Sequence, residues 1–469
     1  MKTVDQIREF LTDSLAKLRK TGIDQGEILY WETESGTLRT FLNRMGPSVT
    51  SRDADVYMTA IVGKKHGQAH TTDLSHEGLD RVIHNCYENA VYGNDSETVF
   101  CLPGTYKELP PFKKKIFFES TLDLSPEKNV DTLHKISEES KKNGLTCSAR
   151  LMTGGARLGI ANTSGTFLVT EYTEVSLSLI LTGDNGVSAY ASDASENIEF
   201  LDPGKVVQEA IQNAERQKLR PPVELDFSGK ETFFDVILEP YAVAEWIEIL
   251  ASIGFNGLLF EEGESFLSGK MNQKVVGDNI SLFDDGSDPG GFIAPFDFEG
   301  VPKEKKVLFD RGVLRSVCYD SFLGAKYGKR TSGHALSPFE KSYGAIPRNL
   351  FMEGGPSSLG EMIASSIRPT IYITRFHYTN VVNPKEGVLT GMTKDGTFLV
   401  QNGKFSGPVS NLRFLENIPK ALCRVTHLGQ SRRVHDPVGY GGLFPESMAV
   451  PPLKIEKVRF IGSSGNLAR

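Results

Sequence analysis

At 469 residues the chain is too long for one ordinary hydrophobic core, and two domains are expected. Hydrophobic content of 39% and charged content of 24% describe a soluble globular protein with no apolar run long enough to span a membrane. A formal charge of −7 provides no basic footprint for nucleic acid, and five scattered cysteines without a Cys-x-x-Cys pair argue against a disulfide framework or a cysteine zinc cage.

The first segment has a helical apolar period (Val4, Ile7, Phe10, Leu11, Leu15, Leu18) with charges throughout. It lacks the continuous apolar region of a signal peptide, so a cytoplasmic location is expected. Glu27 to Trp31 and Leu38 to Leu42 read as strands, and Ala54 to Gly63 with His66 to Thr71 reads as a hairpin across Gly63-Lys-Lys. Ser75 caps a helix with its stripe at Leu79, Val82, Ile83, Cys86 and Ala90. A second helix runs from about Pro126 to Lys142 and stops at Asn143-Gly144. Arg157 to Thr163, Phe167 to Leu181 and Gly186 to Ala191 follow as an antiparallel meander. A helix from Lys205 to Lys218 ends at Arg220-Pro-Pro-Val, where consecutive prolines mark a linker and a boundary near Pro222.

Beyond the linker, Phe233 to Leu238 reads as a strand, and Pro240 suits the first position of a helix. Val243, Trp246, Ile247, Leu250 and Ile253 share one face of that helix, with Glu245, Glu248 and Ser252 opposite. Strand-like runs then recur: Gly257 to Gly269, Phe292 to Gly300, Lys306 to Tyr319, Thr370 to His377, Gly387 to Met392, Thr397 to Gln401 and Leu453 to Ile461. Tyr327 to Gly360 reads as a long loop. The expected fold is α+β. Residues 1–222 form an N-terminal α/β domain with an antiparallel meander, and residues 223–469 form a C-terminal β-rich, barrel-like domain.

The motifs occur in an informative order. Gly63-Lys-Lys-His-Gly67, Thr71-Thr-Asp-Leu-Ser75 and Ile160-Ala-Asn-Thr-Ser-Gly165 precede Pro240-x-Ala-Val. After it come Ser265-Phe-Leu-Ser-Gly269, Pro295-Phe-Asp-Phe-Glu-Gly300, Gly312-Val-Leu314, Thr331-Ser-Gly-His-Ala335, Val382-Asn-Pro384 and Asn402-Gly-Lys404. In this order the chain resembles the TldD/PmbA family, described as peptidases or modulators of DNA gyrase. The resemblance implies a dimer enclosing a chamber where peptides are cut. Catalytic members carry His-Glu-x-x-x-His on the helix after the landmark. The matching positions here are Glu248, Ile249 and Ile253, and Val425 stands where a cysteine zinc ligand is expected. Isoleucine can neither bind zinc nor take a proton from zinc-bound water, so the chain resembles the PmbA (TldE) branch, which lacks the motif. Cys423, two residues before Val425, would share its face on a strand and is a substitute to weigh.

Other constellations have plainer readings. His66 and His70 have helical metal-ligand spacing, but on a hairpin they stand about 13 Å apart. His76-Glu-Gly-Leu-Asp80 imitates a zinc motif within a first helical turn, where acids complement the helix dipole. Asp284-Asp-Gly-Ser-Asp288 has the carboxylates of a calcium loop without its final glutamate, and reads as a turn. Met152-Thr-Gly-Gly-Ala-Arg157 lacks a nucleotide fingerprint. Asp297 and Glu299 alternate with aromatics, as on a solvated strand face. His334, His377 and His427, with Cys423, are candidates for a residual polar site.

The expected function is therefore that of a PmbA/TldE-like subunit in a peptidase system acting on peptides or unfolded proteins. No catalytic residue, metal or cofactor is expected in this chain; zinc is expected in a His-Glu-x-x-x-His paralogue. Expected partners are peptide substrates and either a second copy or that paralogue, with no direct nucleic acid and no membrane. Two alternatives remain: an autonomous metallopeptidase with rearranged ligands, and a peptide-binding scaffold without a peptidase partner.

Overall fold

The computed structural model describes residues 1–98, 101–109, 111–122, 125–225, 232–435 and 444–463. Local capping chemistry sets the helices of the first half. Helix α1 (Val4–Arg19) starts in a capping box between Thr3 and Gln6, and Ser75 caps α2 (His76–Tyr92) by accepting from the Gly78 N–H. Helix α3 spans Pro126–Lys142, and α4 (Pro203–Lys218) is capped by Asp202.

These helices cover one face of an antiparallel sheet made of β1 (Gln25–Phe41), β2 (Arg44–Val62), β3 (Lys65–Thr71), β4 (Thr146–Asn162), β5 (Phe167–Thr182) and β6 (Ser188–Ser195), in the order β3-β2-β1-β4-β5-β6. Even-numbered residues of β1, such as Ile28 and Tyr30, meet α1 and α2 in one core; Leu133 and Ile136 of α3 and Val207 and Ile211 of α4 pack farther along the same face. The hairpin and the meander pair as expected, but β2 and β4 begin at Arg44 and Thr146, well before the expected Ala54 and Arg157. The two expected short strands at Glu27–Trp31 and Leu38–Leu42 are instead one strand, because β2 and β4 pair along both edges of the polar stretch between them.

The second half begins with β7 (Thr232–Leu238), α5 (Pro240–Gly254) and α6 (Gly257–Glu261), followed by β8 (Leu282–Asp284), β9 (Lys306–Asp310), β10 (Val313–Leu314), α7 (Ser321–Tyr327), β11 (Asn349–Met352) and α8 (Leu359–Ala364). It ends with β12 (Thr370–Asn383), β13 (Val388–Gln401), β14 (Lys404–Pro408), β15 (Leu412–Asn417), α9 (Ile418–Leu422), β16 (Val425–Leu428), β17 (Arg432–Val434), β18 (Ser447–Val450) and β19 (Leu453–Ser463). Strands β12, β7, β19, β15 and β13 follow one another, and β12 also pairs with β13, which closes a barrel. A second sheet runs β10-β9-β8-β11-β18-β17.

The barrel-like character holds, but several strand expectations do not. Gly257 to Gly269 opens with a short helix, because the Asn256 side chain accepts from the N–H groups of Leu258 and Leu259. Phe292 to Gly300 is irregular chain with an isolated Phe296–Pro302 bridge. It lies on the open face of the first sheet, where Ile293, Phe296 and Phe298 share a core with Leu29, Trp31, Leu158 and Ile160. Gly387–Met392 and Thr397–Gln401 are one strand, β13, kinked where Asp395 and Gly396 adopt φ of 54° and 133°. The expected long loop from Tyr327 to Gly360 contains β11.

Candidate functional site

The helix that the sequence singles out is held firmly at both its start and its body. Pro240 is at its first turn, and Trp246, Ile247, Leu250 and Ile253 are buried in the core of the barrel and second sheet. The Trp246 ring stacks on Phe376 of β12 at 5.1 Å and 5°, and meets Phe414 of β15 edge-on at 5.3 Å.

At the N-terminal end, α5 touches the first half. Tyr241 Oη donates to the Ser192 carbonyl at 3.0 Å and accepts from the Ser192 N–H at 3.1 Å, which occupies the outer edge of β6. The Arg432 guanidinium stands 4.9 Å over the same ring and pairs with Glu209 of α4 at 2.9 Å. Next to it, Glu239 accepts from the Tyr372 hydroxyl and faces Arg216 at 4.0 Å. Burial pushes the Glu239 carboxyl up, while Tyr372, Arg432 and Arg216 oppose the shift. Tyr241→Phe leaves both Ser192 backbone groups without that partner, with an expected loss of about 1–3 kcal/mol in the urea-unfolding free energy. An unchanged midpoint would mean that the hydroxyl does not hold the edge.

The remainder of α5 offers little to a metal. Glu248 is exposed, Ile249 is half-buried, and Ile253 lies in the apolar core. Val425 is in the same core at the start of β16. Cys423 is not on that strand: it terminates α9, is exposed, and directs its thiol to the Val275 carbonyl at 3.5 Å. Among the described residues no group of three or more His, Cys, Asp or Glu side chains is placed to hold a metal ion.

The candidate imidazoles are dispersed among different partners. His377 is exposed against the Tyr378 ring, and His427 is half-buried with Nδ1 2.9 Å from Thr426 Oγ1. His70 lies on β3 and meets Asp55 at 2.7 Å. His334 is fully enclosed, with Nε2 3.0 Å from Asp284 Oδ2 and Nδ1 3.0 Å from Ser332 Oγ. Asp284 is thus not a turn residue. It is buried at the end of β8, where Oδ1 accepts from the N–H groups of Arg348 and Asn349, and Lys303 Nζ stands 3.9 Å from Oδ2. Burial opposes its charge, but Lys303, His334 and the Asn349 N–H outweigh burial and hold it at about 2. His334 is pushed down by burial and by Lys303.

The Ser332–His334–Asp284 order imitates a hydrolase triad. However, the serine hydroxyl is engaged by both the N–H and the carbonyl of Tyr319, and the histidine and aspartate are sealed from solvent. This chemistry fixes loops; it does not present a nucleophile. The sequence pattern places Asp284 in a turn because its true partners lie far along the chain. The turn reading holds for its neighbours: Asp285 accepts from the Ser287 N–H and Asp288 from the Gly290 N–H.

Asp297 and Glu299 are the clearest correction. Both are buried, and neither is on a strand. Asp297 accepts from the N–H groups of Glu299, Val301 and Ala335, which closes a tight turn whose Gly300 has a φ of 73°.

Comparison with known proteins agrees with this architecture. Residues 230–462 match the PmbA/TldA metallopeptidase C-terminal domain. A Metalloprotease TldD homolog of Buchnera aphidicola is 21% identical over 433 residues, covering 88% of this chain and 87% of that protein. The crystal structure of TldE from Thermococcus kodakarensis superposes with a TM-score of 0.83 at 20% identity, covering 97% of this chain and all of that one. A Thermotoga maritima protein named as a modulator of DNA gyrase superposes with a TM-score of 0.81 at 19% identity over 97% of this chain and all of that one. At such identities the superpositions establish the fold alone.

Proposed function

The chain belongs to the TldD/PmbA family, and from that membership we propose that it acts as a TldE-like subunit of a peptidase system, without catalytic zinc of its own. Its role is to shape a binding space for peptides or unfolded proteins, while a His-Glu-x-x-x-His partner performs cleavage. The observation that supports this reading best is the burial of Ile253 and Val425 in an apolar core, at positions where catalytic relatives are expected to place ligands. A zinc hydrolase needs three protein ligands and an open position for water, and Glu248 alone does not supply them. The division near Pro222, the pairing with a partner or a second copy, and a cytoplasmic site of action belong to the same proposal. Among the described residues, no helix is long and apolar enough to cross a membrane.

The test joins metal analysis with reconstitution. The purified chain is expected to bind less than a stoichiometric amount of zinc and to leave casein uncut. Cleavage is expected on adding a family member that carries the zinc motif, and a chelator should abolish it. About one zinc per chain, with chelator-sensitive cleavage by this chain alone, would overturn the proposal.

A further inference from the structure

The open face of the first sheet is covered by chain from the second half, and acidic groups are concentrated at that contact. Glu27 of β1 is 8% exposed and lies opposite Asn162 of β4. The covering segment contributes Asp297 and Glu299, exposed by 1% and 3%, and the start of α7 contributes Asp320, exposed by 3%. Three of these four carboxylates have firm partners. Asp297 takes backbone N–H groups, Glu299 Oε2 accepts from the Ser321 N–H at 2.8 Å, and Asp320 caps α7 through the Leu323 N–H at 2.7 Å. Lys341 Nζ stands 3.7 Å from Glu299 Oε1. Glu27 Oε2 and Glu299 Oε1 are both buried without a hydrogen-bond partner among the described residues, but Glu299 also has the Ser321 N–H and Lys341 beside it, whereas Glu27 has the Asn162 side chain.

We propose that this contact is a proton-operated latch between the two halves of the chain, closed while Glu27 holds a proton and loosened when the proton leaves. The groups acting on Glu27 come from every element around it. Glu299 and Asp297 oppose its ionisation from the covering segment, whereas Lys341 and the Asn162 side chain favour it. His66 of β3 also senses Lys341, and Lys303 acts on Asp297. Ionising all four acids against Lys341 would leave excess negative charge in a site largely removed from water, which is costly. Burial and then Glu299 push the Glu27 carboxyl up to about 8. Burial also raises Asp297 and Asp320, and it raises Glu174, on the same sheet, to about 7.

The sign follows from proton linkage. An opened contact returns Glu27 toward its ordinary value of 4.5, so the closed form binds the proton more tightly. Closure is fully favoured below 4.5 and is lost as the pH rises through about 8, by up to about tenfold in the closed-to-open ratio per pH unit. Above that range Glu27 contributes no further change.

The chain carries its own reporter. Of its two tryptophans, Trp31 lies at this contact in the core shared with Phe296 and Phe298, and Trp246 is buried in the other core. Acrylamide quenching of the full chain is expected to rise between about pH 6 and about pH 9 as Trp31 becomes accessible, and Glu27→Gln should flatten that rise. Quenching that stays flat in the wild-type chain, or rises equally in the variant, would overturn the latch. Infrared difference spectra of the unmodified chain give a measurement independent of the variant's folding. A protonated-carboxyl C=O band should be present at about pH 6 and disappear with a midpoint near 8. Its absence at the lower pH would also overturn the proposal.

Discussion

Trp246→Ala is expected to lower the unfolding free energy by about 3–5 kcal/mol, enough to threaten a chain of ordinary stability. The indole fills the space between α5 and the barrel, stacked on Phe376 and edge-on to Phe414. Alanine removes both ring contacts, and strands whose pairings close on themselves have little freedom to collapse into the void. Trp246→Phe should cost distinctly less. It preserves a ring at the stack, and it removes an indole N–H that is buried without a hydrogen-bond partner among the described residues. Urea or guanidinium unfolding followed by far-ultraviolet circular dichroism measures both. Equal losses for the two variants would show that ring packing is not the source of the stabilisation.

The second large effect concerns Asp284. Asp284→Asn retains an oxygen that can accept from the Arg348 and Asn349 N–H groups, but it removes the negative charge facing Lys303 and His334. A buried ammonium is left without its counter-ion, and the expected loss is about 3–5 kcal/mol near neutral pH. The pH dependence has a definite direction. The folded-state value is held at about 2 and the ordinary value is 3.8, so the charge stabilises the fold above 3.8. That contribution is lost as the pH falls through about 2, and the difference between wild type and variant should narrow over the same interval. A difference that widened on acidification would contradict the assignment of a charged Asp284.

The elements most legible in the sequence are those whose limits are local. Thr3, Ser75 and Asp202 cap helices through hydrogen bonds within a few residues, and Pro240 presets the first turn of α5. The hairpin at Gly63 is equally local. What alternation cannot convey is which surface will cover a segment. Asp297 and Glu299 alternate with phenylalanines as a solvated strand would, yet the first sheet, from the opposite end of the sequence, covers them. The same limitation hid the role of Asp284, whose partners Lys303, His334 and Arg348 come from separate loops. Cys423 was placed by analogy with a strand, but a short helix begun by Asn417 and Pro419 ends on it. The Asn256 cap, by contrast, was a local signal that distinguishes α6 from the strand expected there.

Closure of the barrel also bears on the order in which the chain can fold. Within the first half every strand finds its sheet neighbours before residue 196, so that sheet can assemble while later residues are still being synthesised. Strand β7 must wait, because its parallel neighbour β12 begins at Thr370 and its antiparallel neighbour β19 at Leu453. Until both arrive, its backbone edges are unsatisfied and α5 has no closed wall against which to pack Trp246. Contacts of such long sequence separation fold slowly. A nascent chain therefore passes through a stage in which the paired strands of the first sheet, whose open face still lacks Ile293, Phe296 and Phe298, carry an unfinished apolar remainder, the interval in which chaperone protection matters most.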